Sequence, residues 1–377
     1  MTLYLLYILV SFVVSMACGF ILIPLIIRFC RANNLYDLPN ARKVHKRGIP
    51  RLGGICFAPN MLFAAILALI VFNATSSVGN KIQLNLWAAY FIISLLMIYS
   101  VGLIDDLVGL GAKTKFIVQI ISASILPAAN LYINNLYGLL GIYTIPYWIG
   151  APLTVFVIVF IVNAMNLIDG IDGLSAGLSF ISLGGFLVFF ALEGMFVYCV
   201  LIAGLMGVIL AFMYFNIFGK SDKGTKIFMG DSGSLTIGFI LGVMLIKYSM
   251  MNTVVMPVKN DRLIMACTLL IVPVFDVCRV IIVRSRHRKP IFDADKNHIH
   301  HKMMRAGLTQ HGALRSILGM EIIFIMLNIC LSKFINFNYI VITDIIVWML
   351  FQTVINHFIR KNGKKEFLIE AETMTEQ

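Results

Sequence analysis

Apolar stretches of about 18 to 25 residues recur along nearly the whole chain, each long enough to cross roughly 30 Å of hydrocarbon. They predict spans near 3–27, 53–73, 84–104, 116–134, 148–168, 173–192, 195–218, 233–250, 263–283, 313–332 and 336–358. The pattern therefore predicts an all-α, polytopic integral membrane protein of about eleven transmembrane helices. The weakest matches are 116–134 and 313–332, the latter because it carries Arg315 and Glu321. The first span lacks a basic leading region and a small-residue cleavage site, which predicts a retained helix and not a signal peptide. No separate soluble domain is expected. Residues 1–360 read as one transmembrane domain with chemically dense loops, and 361–377 as a polar tail.

Composition sharpens this picture. The 377 residues are 60% hydrophobic and only 13% charged, against about 25% charged in a soluble domain. A net charge of +12 would suggest nucleic acid as a partner in a soluble protein. Its placement argues for membrane topology instead. If odd-numbered spans end inside, the inner segments 28–52, 105–115, 219–232, 284–312 and 359–377 hold 23 of the 30 lysines and arginines. The positive-inside rule then puts the N-terminus outside and the C-terminus in the cytoplasm, with anionic lipids as the partners of most of these charges. The seven cysteines, none in a C-x-x-C pair, read as small apolar residues and not as disulfides or zinc ligands.

Four inner segments carry chemistry. The first is Gly102-Leu103-Ile104-Asp105-Asp106-Leu107, followed by Lys113 and Lys115. Two adjacent carboxylates leaving an apolar helix are costly unless paired or metal-bound. With lysines beside them they suit phosphate handling, although a wet helix end would also account for them. The second, Asn163-Ala164-Met165-Asn166-Leu167-Ile168-Asp169-Gly170-Ile171-Asp172-Gly173, places Asn166, Asp169 and Asp172 three residues apart. On a continued helical turn they would share one face, with Gly170 and Gly173 allowing close approach of a ligand. The third, Lys226-Ile227-Phe228-Met229-Gly230-Asp231-Ser232-Gly233, opens a span. Asp231 is there an N-cap candidate, or free to hold a metal at a helix end that attracts anions. The fourth runs from Arg284-Ser285-Arg286-His287-Arg288-Lys289 through Asp293, Asp295, His298-Ile299-His300-His301 and Arg305. With no cysteine nearby and many cations, it fits phosphate donors better than a transition-metal site. A further basic stretch runs from Asp37 through Arg42, Lys43, His45 and Lys46 to Gly53-Gly54. Together these parts suit phosphoryl transfer to or from a lipid.

At these residues, from about Asp37 to Arg305 and in this order, the sequence resembles the polyprenyl-phosphate N-acetylhexosamine-1-phosphate transferases, glycosyltransferase family 4. The resemblance implies transfer of a sugar-1-phosphate, most readily GlcNAc-1-phosphate, from a UDP-sugar to undecaprenyl phosphate. The products would be undecaprenyl-diphosphate-sugar and UMP. It further implies Mg2+, with Mn2+ as a substitute. Asn166 and Asp231 match positions associated with the metal and the UDP diphosphate, Asp172 the position near uracil, and Phe228 the ring packing on it. Asp105 and Asp106 match paired acids acting on the lipid phosphate, with Asp105 able to take the acceptor's remaining proton. Lys115 matches a basic residue near the same phosphate, with Lys113 as the neighbour that could exchange roles with it. Asp169 belongs to the same loop.

The form His298-x-His300-His301 followed by Arg305 is similar to the GlcNAc-type subgroup and departs from the phospho-MurNAc-pentapeptide enzymes, which stand as the alternative within the family. A secondary transporter of anionic solutes is the rival from another class. It fits less well, because the polar groups cluster at helix ends and no inverted repeat is visible. The expected setting is the bacterial inner membrane, with the site on the cytoplasmic face and a role in cell-wall or lipopolysaccharide O-antigen synthesis. Expected partners are a UDP-N-acetylhexosamine, undecaprenyl phosphate and membrane lipids, with a homodimer as an assembly option and no nucleic acid.

Overall fold

A computed structural model describes residues 2–37, 48–75, 86–252, 259–288 and 297–375. Part of the first basic stretch (Arg42, Lys43, His45 and Lys46) and part of the fourth segment (Lys289, Asp293 and Asp295) fall outside them. The chain is mostly helical: α1 (Thr2–Ala32), α2 (Phe57–Thr75), α3 (Leu86–Val108), α4 (Ala112–Ala128), α5 (Tyr147–Ile168), α6 (Leu174–Leu192), α7 (Phe196–Ile217), α8 (Gly230–Ser249), α9 (Arg262–Thr268), α10 (Ile271–Arg286), α11 (Ile299–Arg305), α12 (Gln310–Leu331) and α13 (Phe337–Thr375). Two small antiparallel pairs complete it, β1 (Tyr36–Asp37) with β2 (Ile49–Pro50) and β3 (Asn135–Leu139) with β4 (Ile142–Thr144).

Among the described residues, nine helices are long and apolar enough to cross a bilayer, or ten if α9 and α10 form one broken span. The expected span at 116–134 is the 17-residue α4, about 25 Å long at 1.5 Å per residue. It stops at Ala128 because the chain then turns into the β3–β4 hairpin. Helix α13 carries on through Thr375, so most of the expected polar tail continues the last span.

α8 is the centre of the bundle. Nearly all of its side chains are buried, and α3, α5 and α6 pack around it. Lipid-facing helices such as α1 and α13 instead keep large apolar residues on the outside, among them Leu5, Leu9, Ile21, Ile342 and Met349, as expected where lipid is the solvent. The first turn of α8 is also where the loops that carry the expected site residues converge. Gly54, in a short 3-10 turn (Gly53–Cys56), donates its N–H to Met229 O at 2.7 Å. A methyl at Gly54 would lie only 2.1 Å from Cα of Gly233, so backbone meets backbone at this contact.

The expected helix 263–283 is bent by 75° between α9 and α10. Pro273 sits in the first turn of α10, where its missing N–H leaves no intrahelical bond unmade. Freed backbone groups at the break are met by side chains: Glu321 Oε2 accepts from Val272 N at 3.1 Å, and Ser182 Oγ donates to Leu269 O at 2.5 Å. Broken helices are tolerated at membrane depth when neighbours satisfy the freed groups. Glu321, which weakened the case for 313–332 as a span, is fully buried in α12 and serves this break.

Candidate active site

Five of the expected residues meet where α3, α4, α5 and α8 converge. Asp105 and Asp106 end α3, Lys115 lies in the first turn of α4, Asn166 in the last turn of α5, and Asp231 in the first turn of α8. Lys115 Nζ lies 2.7 Å from Asp231 Oδ2 and 3.2 Å from Asp105 Oδ2. Asn166 Nδ2 donates to Asp231 Oδ1 at 3.1 Å and to Ser234 Oγ at 2.8 Å. Burial by itself would lower the pKa of the Lys115 ammonium, but Asp231 and Asp105 outweigh it and hold the pKa above its ordinary value. The cluster thus sets one fixed cation between two carboxylates, partly open to solvent.

The two adjacent aspartates have different jobs. Asp106 is buried and accepts from the N–H groups of Asp231 and Ser232 at 2.8 and 2.9 Å. These amides open α8 and would otherwise be orphaned. The N-cap duty expected of Asp231 therefore falls to Asp106, from a different helix, which frees Asp231 for the site. Asp105 accepts from Leu110 N at 2.6 Å through one oxygen and pairs with Lys115 through the other. Asp106→Ala is expected to cost about 1–2 kcal/mol of stability, as loss of a helix cap does. Asp105→Ala is expected to leave the unfolding temperature nearly unchanged while lowering activity. Thermal unfolding of both proteins in detergent checks this contrast.

The expected single stripe of Asn166, Asp169 and Asp172 is not formed. α5 ends at Ile168, and Gly173 takes a left-handed conformation at φ 76°, so the carboxylates leave the helix and diverge. Asp172 Oδ2 pairs with Lys226 Nζ at 2.5 Å and accepts from Gln310 Nε2 at 3.3 Å. Asn216 ties the same two loops together, accepting from Gly173 N at 2.6 Å and donating to Ile227 O at 2.8 Å. Phe228 is anchored through its backbone, its N–H donating to Pro50 O and its carbonyl accepting from Gly53 N. Asp169 is still reached by solvent, yet the protein packed around it lifts its carboxyl to about 7, with Asp231, Asp172 and Asp106 adding to the rise.

The histidine segment comes to the same face. His300 is buried against Gly170, where a methyl would lie 2.1 Å from His300 Nε2. Burial, with His301 and His298 adding, lowers the His300 pKa to about 3, so the ring is neutral. Neither of its ring nitrogens has a hydrogen-bond partner among the described residues. His301 lies against it at 4.2 Å between ring centroids. Arg305 is exposed and donates to Asn297 Oδ1 at 3.1 Å. Lys113 is exposed in the first turn of α4, apart from the Lys115 cluster.

Sequence reasoning gave no role to Lys226, Gln310, Asn216, Ser234, Asp276 or Arg279, which position the site. The spacing of Asp276 and Arg279, one helical turn apart on α10, was the one readable signal among them.

Known proteins resemble this chain over most of its length. The family described as Glycosyl transferase family 4 matches residues 87–249. A probable undecaprenyl-phosphate N-acetylglucosaminyl 1-phosphate transferase of Bacillus subtilis is 32% identical over 358 residues, covering 90% of this chain and 91% of the relative. The chain belongs to glycosyl transferase family 4. Two further relatives are an undecaprenyl-phosphate alpha-N-acetylglucosaminyl 1-phosphate transferase of Yersinia pestis and a decaprenyl-phosphate N-acetylglucosaminephosphotransferase of Mycobacterium tuberculosis. The first is 29% identical, covering 74% of this chain and 72% of its own length. The second is 30% identical, covering 71% and 69%. The stretch matched as glycosyl transferase family 4 contains Asp105, Asp106, Lys115, Asn166 and Asp231; the histidine segment lies beyond it.

Among the described residues no three His, Cys, Asp or Glu side chains converge as a preformed cage. Asp231 supplies a hard carboxylate oxygen with the Asn166 side-chain amide beside it, and the ammonium of Lys115 on its other oxygen shows that the point attracts positive charge. Such a sparse set fits Mg2+, which keeps waters and binds through one or two carboxylates plus substrate phosphates.

Proposed function

We propose that this chain transfers GlcNAc-1-phosphate from UDP-GlcNAc to undecaprenyl phosphate, giving undecaprenyl-diphosphate-GlcNAc and UMP. The observation that carries this reading is the Lys115 ammonium held between Asp105 and Asp231, with Asn166 on the far side of Asp231. The names of the relatives support the donor and the acceptor class. The charge asymmetry of the loops supports an outside N-terminus, a cytoplasmic site and an inner-membrane setting. Counting α4 and the broken α9–α10 pair would bring the spans to the expected eleven.

An oxygen of the acceptor phosphate attacks the sugar-bearing phosphorus of the donor. As that P–O bond forms, the bond from the same phosphorus to the bridging oxygen of UMP breaks. Both reactants are anionic, so catalysis is mainly positioning and charge neutralisation. Mg2+ bound by Asp231 and Asn166 would supply neutralising charge at the diphosphate. Lys115 offers the acceptor phosphate a fixed cation, and Asp105 holds that cation in place. With both Asp105 oxygens engaged, anchoring Lys115 fits this carboxylate better than free-base duty. A phosphate monoester has a second pKa of about 6 and has little need of a base near neutral pH. The turn joining Asp172, Lys226 and Asn216 forms the wall against which the nucleoside end of the donor would rest, beside Phe228. His298, just ahead of α11, and His300 and His301 on it close the site.

The test incubates membranes containing the protein with undecaprenyl phosphate, Mg2+ and radiolabelled UDP-GlcNAc. Butanol-extractable label matched by UMP release, and lost on chelation, is expected. Label only from another UDP-hexosamine would change the donor, and no lipid-linked product from any UDP-sugar would overturn the reaction class.

A further inference from the structure

Asp276 lies on α10, in the broken span, away from the carboxylates at Lys115. It is fully buried, and its two oxygens meet His298 and Ile299, where α11 begins. Oδ2 lies 2.8 Å from His298 Nδ1, and Oδ1 accepts from Ile299 N at 2.9 Å. Arg279 Nη2 pairs with Oδ1 at 2.9 Å and also donates to Asn297 O. Asp276 and Arg279 together therefore grip 297, 298 and 299. A buried carboxylate is expensive unless it is paired and hydrogen-bonded, and here every bond it makes serves the start of the histidine segment.

We infer that Asp276 is a positioning residue for the reaction, acting through His298. By accepting the Nδ1 proton it fixes the tautomer and orientation of the ring, so that Nε2 is the atom offered to the donor diphosphate. Carboxylates do this for working histidines in general, and their loss costs about 10- to 100-fold where the histidine ligates a metal. His298 Nε2 makes no hydrogen bond to another described residue, which leaves it for substrate. His300 has no such support: its nitrogens are unpartnered and its ring lies against Gly170. The two histidines therefore divide the work, His298 meeting the donor through Nε2 and His300 filling space beneath the Asp169–Gly170 turn. The inference rests on the reading of His298 as a diphosphate contact.

The test compares Asp276→Asn, His298→Ala and the double variant as full-length protein in detergent, measuring kcat and KM for UDP-GlcNAc and for undecaprenyl phosphate. Asp276→Asn keeps an acceptor for Ile299 N but removes the charge. It is expected to lower kcat/KM for the donor by about 10- to 100-fold, with KM for the lipid unchanged. In the His298→Ala background it is expected to add almost nothing, because both changes remove the same interaction. Full activity of Asp276→Asn beside an impaired His298→Ala overturns the positioning role alone. Multiplied losses in the double variant do the same. An active His298→Ala overturns the diphosphate reading and the inference with it. Nitrogen-15 histidine spectra of the unaltered protein, with His298→Ala used to assign the signal, give a check independent of how Asp276→Asn folds. Protonated Nδ1 is expected, and a ring protonated on Nε2 alone overturns the inference.

Discussion

Asp231→Asn is expected to reduce turnover by about a thousandfold, the upper end of what losing one charge-stabilising group costs, while membranes still contain folded protein. The change is nearly isosteric and leaves the backbone N–H of residue 231 on Asp106. The start of α8 is therefore preserved. What is lost is the charge that holds Lys115 at 2.7 Å and faces the Asn166 amide at 3.1 Å. Lys115 then has Asp105 alone as a partner, and the point at which Mg2+ would join the donor loses its one strong anionic ligand. A second signature follows from mass action: the Mg2+ concentration for half-maximal residual activity should rise in the variant. Turnover within tenfold of wild type, at an unaltered Mg2+ requirement, would remove Asp231 from the centre of the site.

Gly170→Ala is expected to abolish most activity, by about a hundredfold or more, the scale on which misplacing groups by 1 Å acts. Its stability cost is expected to be only about 1–3 kcal/mol, as for overpacking elsewhere. The new methyl would lie 2.1 Å from Nε2 and 2.4 Å from Cε1 of His300. The ring cannot easily retreat, being buried with His301 packed against it. Either α11 moves away or the Asp169–Gly170 turn does, and both separate the histidine segment from the carboxylate cluster. Gly170→Ala combined with His300→Ala removes the clash. Restored unfolding temperature with activity still low would assign His300 a share in the chemistry. Recovery of both would mark it as packing.

The sequence reading reached the site more surely than the course of the chain through it. Asp105, Lys115, Asn166 and Asp231 were legible because polar residues at the ends of apolar spans have few inexpensive explanations. Their partition was not legible. Nothing in the adjacent pair Asp105-Asp106 says that one carboxylate caps α8 and the other holds a lysine, since that depends on how α3 meets α8. The three-residue spacing of Asn166, Asp169 and Asp172 pointed to a helix, but Gly170 and Gly173 ended it, and the turn delivered Asp172 to Lys226 instead. Hydropathy located 263–283 as one span because it averages over a window, and a 75° bend at Leu269–Leu270 leaves that average unchanged. Asp276 falls within the predicted span 263–283, and its partner His298 is 22 positions further along.

The break between α9 and α10 also has a bearing on how the protein is made. Val272 waits for an acceptor that lies 49 residues downstream, on Glu321. When this stretch leaves the ribosome, α12 has not yet been synthesised, and a bare amide in hydrocarbon costs several kcal/mol. α9 and α10 therefore have to be sheltered by the insertion machinery, or held at the interface, until α12 enters. Biogenesis of this bundle is thus not a strict succession of independent spans. Chains truncated ahead of Glu321 should be recognised and degraded as unfinished, although every earlier helix has already been synthesised.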